Sequence, residues 1–130
     1  MPRILLIEDD DAVRDTLHEI LKQLGYDVTE ARDGKQGLAL FKAAGADVVI
    51  TDIVMPEMEG MQVIRELRQI DPAVKIIAMS GGGRQSAQDY LKVARILGAV
   101  RILPKPFPSQ ILDATIREIL AESPNPPQSA

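Results

Sequence analysis

Residues 47–60 read DVVITDIVMPEMEG. Val48, Val49 and Ile50 are apolar without alternation, the pattern of a strand covered on both faces, as parallel sheets flanked by helices require. The run continues through Thr51 into Asp52. A carboxylate at the end of a buried strand is costly unless a cation or a set of donors compensates it. The stretch therefore sets two expectations: a buried parallel strand, and partners for Asp52 elsewhere in the chain.

Outward from it, short apolar runs alternate with amphipathic stretches five times. The runs are Ile4–Ile7, a weaker Val28–Ala31, Val48–Thr51, Lys75–Met79 and Val100–Leu103. Between them, Val13, Leu17, Ile20, Leu21 and Leu24 share one helical face and Gly25 supplies a stop. Leu38 and Phe41 mark a second helix ending near Gly45. Met61, Val63, Ile64 and Leu67 mark a third, ending before Asp71-Pro72. Tyr90, Leu91, Ala94 and Leu97 mark a fourth, and Ile111 to Leu120 a fifth. Asp10 or Asp11 can cap the first helix, and Ser109 is placed to start the last. Strict strand–helix alternation predicts parallel strands joined by right-handed crossovers. The expected fold is α/β: a flavodoxin-like doubly wound (βα)5 sheet of strand order 2-1-3-4-5. It should occupy residues 1–121, followed by a disordered Pro- and Ser-rich tail over 122–130.

Composition narrows the chemistry. With 45% hydrophobic residues but only two Phe, two Tyr and no Trp, the core of this 130-residue chain must be aliphatic. Cysteine is absent, which excludes disulfides, thiolate metal sites and Cys nucleophiles. No apolar run approaches the roughly 18 residues of a membrane span, and Glu8 to Asp11 interrupts the first apolar run, unlike a signal peptide. The expectation is a soluble cytoplasmic protein that does not engage membranes. The net charge of −4 argues against nucleic acid as a partner. Residues 1–65 carry 13 acids against 7 bases, and residues 66–130 carry 6 against 8. Either this is scatter over solvated helices, or an acidic site lies in the first half and a mildly basic partner surface in the second.

In an open parallel sheet, ligands bind beyond the carboxyl ends of the strands at the point where strand order reverses. Here that rim collects Glu8, Asp9 and Asp10 after the first strand, Asp52 at the end of the third, Ser80 after the fourth and Lys105 after the fifth. Capping accounts for Asp11 and part of Asp10. It does not account for Glu8, Asp9 and Asp52. Carboxylates about 4 Å apart repel by roughly 4 kcal/mol at an effective dielectric of about 20, and Lys105 supplies one charge against three. Mg²⁺ suits the remainder, since it takes oxygen ligands and commonly one or two carboxylates with phosphate oxygens. The single His18 reads as a surface residue, so zinc and copper lack ligands. An acid beside Mg²⁺, a hydroxyl and a lysine suits phosphoryl chemistry with a carboxylate nucleophile. Gly81-Gly82-Gly83-Arg84 is not a P-loop.

ILLIEDD (4–10), TDIVMPEMEG (51–60), Ser80 after an apolar strand and LPKPF (103–107) together resemble a bacterial two-component response-regulator receiver domain, of the single-domain chemotaxis-receiver kind. The resemblance runs from residue 3 to about 121. It implies a phosphorylation-dependent signalling switch that accepts a phosphoryl group from a sensor histidine kinase or histidine phosphotransfer protein. Such a protein catalyses only its own aspartyl phosphorylation and dephosphorylation, and acts by binding a downstream target as a monomer or weak dimer. By motif, Asp52 is the implied phosphoacceptor. Asp9, Asp52 and the backbone carbonyl of Val54 would bind Mg²⁺, with Glu8 reaching it through water. Lys105, followed by a cis peptide to Pro106, would pair with the phosphoryl group, and Ser80 matches the switching hydroxyl.

Two departures stand out. Three residues before the lysine the family commonly carries Tyr or Phe, and here the residue is Ile102, which cannot report as a rotating ring does. The stretch SGGGRQSAQDY (80–90) forms a long glycine-rich connection, read as a lid over Ser80 that orders on phosphorylation. The expected output surface is that connection with Arg84, Tyr90, Lys92, Arg95 and Arg101. Three other readings compete. One is a phosphorylation-independent interaction module, against which Glu8, Asp9, Asp52, Ser80 and Lys105 together speak. Another is the receiver fragment of a longer response regulator. The third is an aspartyl-phosphate hydrolase, which would usually place its nucleophile on the first strand.

Overall fold

Strand β1 (Arg3–Ile7) has four consecutive buried residues after Arg3, because both of its faces are covered. Strand β3 (Val48–Asp52) is buried along its whole length, including Thr51 and Asp52. These two carry the centre of the sheet. A computed structural model describes residues 1–52, 59–80 and 101–122, and the elements below belong to those residues.

Around β1 and β3 the chain runs α1 (Asp11–Gln23), β2 (Asp27–Ala31), α2 (Gly34–Ala44), α3 (Glu59–Ile70), β4 (Ile76–Ser80), β5 (Arg101–Pro104) and α4 (Ser109–Ala121). All strand pairs are parallel and the order is β2-β1-β3-β4-β5, as the alternation of runs predicts. The predicted helix over Tyr90–Leu97, the 80–90 connection beyond Ser80 and most of the 122–130 tail lie outside the described residues.

Residue alternation splits the core into two layers. Leu5, Ile7, Val49, Ile76 and Ala78 face α2 and α3, meeting Phe41, Ile64 and Leu67. Ile4, Leu6, Val48, Ile50, Ile77 and Met79 face α1 and α4, meeting Leu17, Leu21, Leu112 and Ile116. Edge strand β2 alternates in exposure instead, since one side of it lacks a neighbour.

Local signals fix the helix ends. Asp10 is the N-cap of α1: its Oδ1 accepts from the Val13 amide at 3.0 Å, leaving Asp11 in the first turn. Asp33 does the same for α2 through the Gln36 amide at 2.8 Å. Gly25, at φ 97°, takes the left-handed conformation that ends α1. Helix α4 starts at Ser109, as expected, and Pro108 holds the cap position before it without a side-chain bond.

The far end of α4 is fastened to the sheet. Lys75 Nζ donates to the carbonyls of Leu120 (3.4 Å) and Glu122 (3.0 Å). Arg101 pairs with Glu122, and its Nε lies 3.8 Å from Glu118. The Tyr26 hydroxyl donates to Asp113 Oδ1 at 3.0 Å, and Arg117 Nε donates to Asp113 Oδ2 at 3.1 Å.

Candidate functional site

Strand register decides which side chains meet. Ile7 lies opposite Thr51, Asp52 opposite Met79 and Ser80 opposite Pro104. The residues one step beyond Ile7 and Pro104, Glu8 and Lys105, therefore reach the same rim as Asp52. Lys105 Nζ donates to Asp52 Oδ2 at 2.7 Å and to Glu8 Oε1 at 3.1 Å. The Lys105–Pro106 peptide is cis, as the resemblance implies.

The two carboxylates are deeply placed: Glu8 is 1% exposed and Asp52 5%. Glu8 meets the cost of that burial with a complete set of partners. Its N–H donates to the Ala31 carbonyl at 3.0 Å. Oε1 accepts from Lys105, Oε2 from the Asp10 N–H at 3.1 Å, and its backbone carbonyl from Arg14 Nη1 at 2.9 Å. Burial still raises the Glu8 carboxyl above the ordinary glutamate value, and the nearby Asp52 charge adds to this. The bonds from Asp10 and Lys105 pull the other way without overcoming it. For Lys105, burial alone would depress the ammonium. The hydrogen bond and charge of Asp52, then those of Glu8, outweigh burial and raise it.

Asp9 is exposed at the lip. One carboxylate oxygen each from Glu8, Asp9 and Asp52 lies within 4.8 Å of the others. Among the described residues these three carboxylates face one ammonium, so negative charge predominates in a half-buried pocket. The donors are all hard oxygens, so the set fits a small divalent cation such as Mg²⁺ and gives nothing to a soft metal.

Of the remaining residues expected at the site, Ser80 closes β4 at the same rim, while its side chain lies outside the described part. Val54, Arg84, Tyr90, Lys92 and Arg95 also lie outside the described residues. Ile102 is half-buried and packs on the α2–α3 layer. Arg101 opens β5, so it stands at the opposite end of that strand from Pro104, engaged with α4. His18 departs from expectation. It is half-buried with Nδ1 2.9 Å from Glu30 Oε2, because α1 packs along edge strand β2.

Sequence reasoning passed over Arg14. Its signal was available: a cation in the first turn of a helix opposes the helix dipole, so it calls for a partner outside the helix. Beside Lys105, an apolar groove of about 370 Å³ follows α1 from Ala12 and Val13 to Ile20 and is closed by Pro106 and Phe107.

The family model described as "Response regulator receiver domain" matches residues 4–117. The chain is 37% identical to chemotaxis protein CheY of Thermotoga maritima, covering 86% of this chain and 92% of that protein. It is 39% identical to sensor kinase CckA of Brucella abortus, over 90% of this chain but 12% of the kinase. It is 37% identical to response regulator MprA of Mycolicibacterium vanbaalenii, over 91% of this chain and 50% of that protein. The chain thus spans half or less of the length of two of these three relatives. Among solved structures, the response regulator receiver domain protein from Clostridium thermocellum superposes with a TM-score of 0.84 at 31% identity, covering 92% of this chain and 94% of that one. Among the described residues no helix is long and apolar enough to cross a membrane. With its 2-1-3-4-5 sheet and its acidic rim closed by a lysine, this chain belongs to the response regulator receiver domain family of two-component systems.

Proposed function

We propose that the chain is a phosphorylation-dependent switch in which Asp52 accepts a phosphoryl group from a histidine kinase or histidine phosphotransfer protein. The observation that carries this reading is the Asp52 carboxylate, 5% exposed at the sheet's carboxyl rim, held at 2.7 Å by Lys105 and flanked by Glu8 and Asp9. A carboxylate oxygen of Asp52 forms a new bond to phosphorus as the donor's phosphorus–nitrogen bond breaks, and the departing imidazole keeps the electron pair. Lys105 stands where its ammonium can pass from Asp52 to an oxygen of the incoming phosphoryl group, placing positive charge where negative charge gathers. Glu8, Asp9 and Asp52 would hold Mg²⁺, which when bound supplies the further positive charge that the three acids and the phosphoryl oxygens require. Before transfer, the shared contacts of Glu8 and Asp52 with Lys105 hold the ammonium beside the accepting carboxylate. The apolar groove along α1 adjoins Lys105, so a donor protein seated there would bring its phosphohistidine to Asp52. In this reading the chain catalyses only its own phosphorylation and dephosphorylation, and the signal leaves by binding a target protein.

Incubation with acetyl phosphate followed by intact-protein mass spectrometry tests this. The expected result is a Mg²⁺-dependent gain of one phosphoryl group that is absent in Asp52→Asn. An adduct that persists in Asp52→Asn would move the acceptor elsewhere. Failure to take up either a phosphoryl group or beryllofluoride would favour an interaction module without phosphorylation.

A further inference from the structure

Arg14 sits in the first turn of α1 with only 14% of its side chain exposed. Its position is unfavourable by the helix dipole and by the loss of hydration, so its contacts must compensate both. One contact is an ion pair with Asp11, an exposed residue of the same turn. The other leaves the helix: Nη1 donates to the backbone carbonyl of Glu8 at 2.9 Å.

That second bond bears on the acid pair. The carbonyl of Glu8 lies in the planar peptide unit that also contains the nitrogen and Cα of Asp9. Holding the oxygen therefore holds the plane from which the Asp9 side chain departs. The same turn carries the Asp10 N–H that bonds Glu8 Oε2. Asp9 needs such help, since among the described residues no hydrogen bond holds its carboxylate. Its oxygen nonetheless lies within 4.8 Å of oxygens on Glu8 and Asp52.

We propose that Arg14 is a positioning residue that clamps the Glu8–Asp9 peptide, so that both carboxylates present oxygens beside Asp52 to a divalent cation. The proposal rests on the Mg²⁺-dependent reading of the site. It also carries a sign that separates it from simple electrostatics. A cation near an acidic pocket repels Mg²⁺, so deleting Arg14 would tighten metal binding if charge were all it contributed. Deleting a clamp loosens it.

The test uses the full chain with Arg14→Met, which keeps the aliphatic stem, and Arg14→Lys, which keeps the charge and one donor. Mg²⁺ affinity is measured by titration calorimetry. The exchange rate of the Asp10 amide is measured by NMR without metal. Arg14→Met should bind Mg²⁺ about tenfold more weakly, the lower end of the loss seen when an outer partner of a metal ligand is removed. Arg14→Lys should fall between Met and wild type, and the Asp10 amide should exchange faster in both variants. Arg14→Met binding Mg²⁺ as tightly as wild type, or more tightly, overturns the proposal. If Arg14→Met does not fold, Arg14→Lys matching wild type in both measurements overturns it equally. Wild-type protein that binds no Mg²⁺ would remove the reading of the site itself, and the proposal with it.

Discussion

Replacing Lys105 by Met keeps most of the side-chain stem and removes the ammonium that Glu8 and Asp52 share. In metal-free protein at about pH 7 this leaves two carboxylates, 1% and 5% exposed, facing each other without their cation. Hydrogen bonds to charged groups contribute about 1.5–3 kcal/mol each, and two are lost, at 2.7 and 3.1 Å. Against this, the lysine no longer has to be desolvated, and with 25% of its side chain exposed water can enter the gap. The expected net loss is about 3 kcal/mol, within the usual cost of removing one partner from a buried pair. For a urea slope of roughly 1.5 kcal/mol per molar, the unfolding midpoint falls by about 2 M.

The pH dependence of that loss has a definite sign. Glu8 has a folded value raised above its ordinary 4.5, so its favourable contribution is present below that value and is lost as pH rises through the raised one. Without Lys105 two influences that lower it disappear and the folded value climbs further. The lysine itself, raised above 10.5, stays charged throughout this range in the wild type. The gap between variant and wild type should therefore be small in acid and widen towards neutrality. Urea unfolding followed by circular dichroism, at steps from about pH 4 to about pH 7, reads this directly. A variant as stable as wild type at neutrality, or a loss constant across the range, would refute the argument that Lys105 is the counter-charge of a buried acid pair.

Gly37→Ala should destabilise despite the gain of about 1 kcal/mol in helix propensity. An added Cβ would collide with Cδ1 of Ile7 and lie 2.8 Å from its Cγ1, and Ile7 is wholly buried. With overpacking at about 1–3 kcal/mol, a net fall of about 4 °C in calorimetric Tm is expected, and a rise would show that the layer yields. Tyr26→Phe removes one bond to Asp113 while Arg117 still serves that carboxylate. It should cost about 1 kcal/mol by urea unfolding. Burial and the Asp113 bond raise the Tyr26 phenol, so this contribution is present below about pH 10 and is lost as pH rises through the higher folded value. An ordinary phenol titration would contradict it.

What could be read from residues alone follows their range of action. Unbroken apolar runs at Ile4–Ile7 and Val48–Ile50 announce two-sided burial, and Gly25 and Asp10 mark the ends of α1 through bonds a few residues long. Lys105 was legible because an acid cluster demands a cation. Ser109 marks the start of α4 in the sequence, while Pro108 before it takes the cap position and offers no donor or acceptor side chain. His18 and Glu30 are separated by a turn and a strand, and their meeting depends on how closely α1 lies along the sheet edge. Arg14 escaped because its partner is a backbone carbonyl, which carries no mark in the sequence. Ile102 stands where the family commonly carries an aromatic residue, and its packing on the α2–α3 layer follows from strand alternation once the register of β5 is known.

The fastening of α4 by Lys75 and Arg101 has a practical reach. Helix α4 begins just past Lys105 and, at 13 residues, carries the chain about 20 Å away from the acid rim. Its last carbonyls are gripped from the strand-start side of the sheet. A fluorophore or affinity handle joined after Glu122 is thus held away from the pocket by a braced rod rather than by a swinging arm. Such a handle can immobilise the protein on a sensor surface with Asp52 and the groove along α1 facing outward, ready for a phosphodonor in solution.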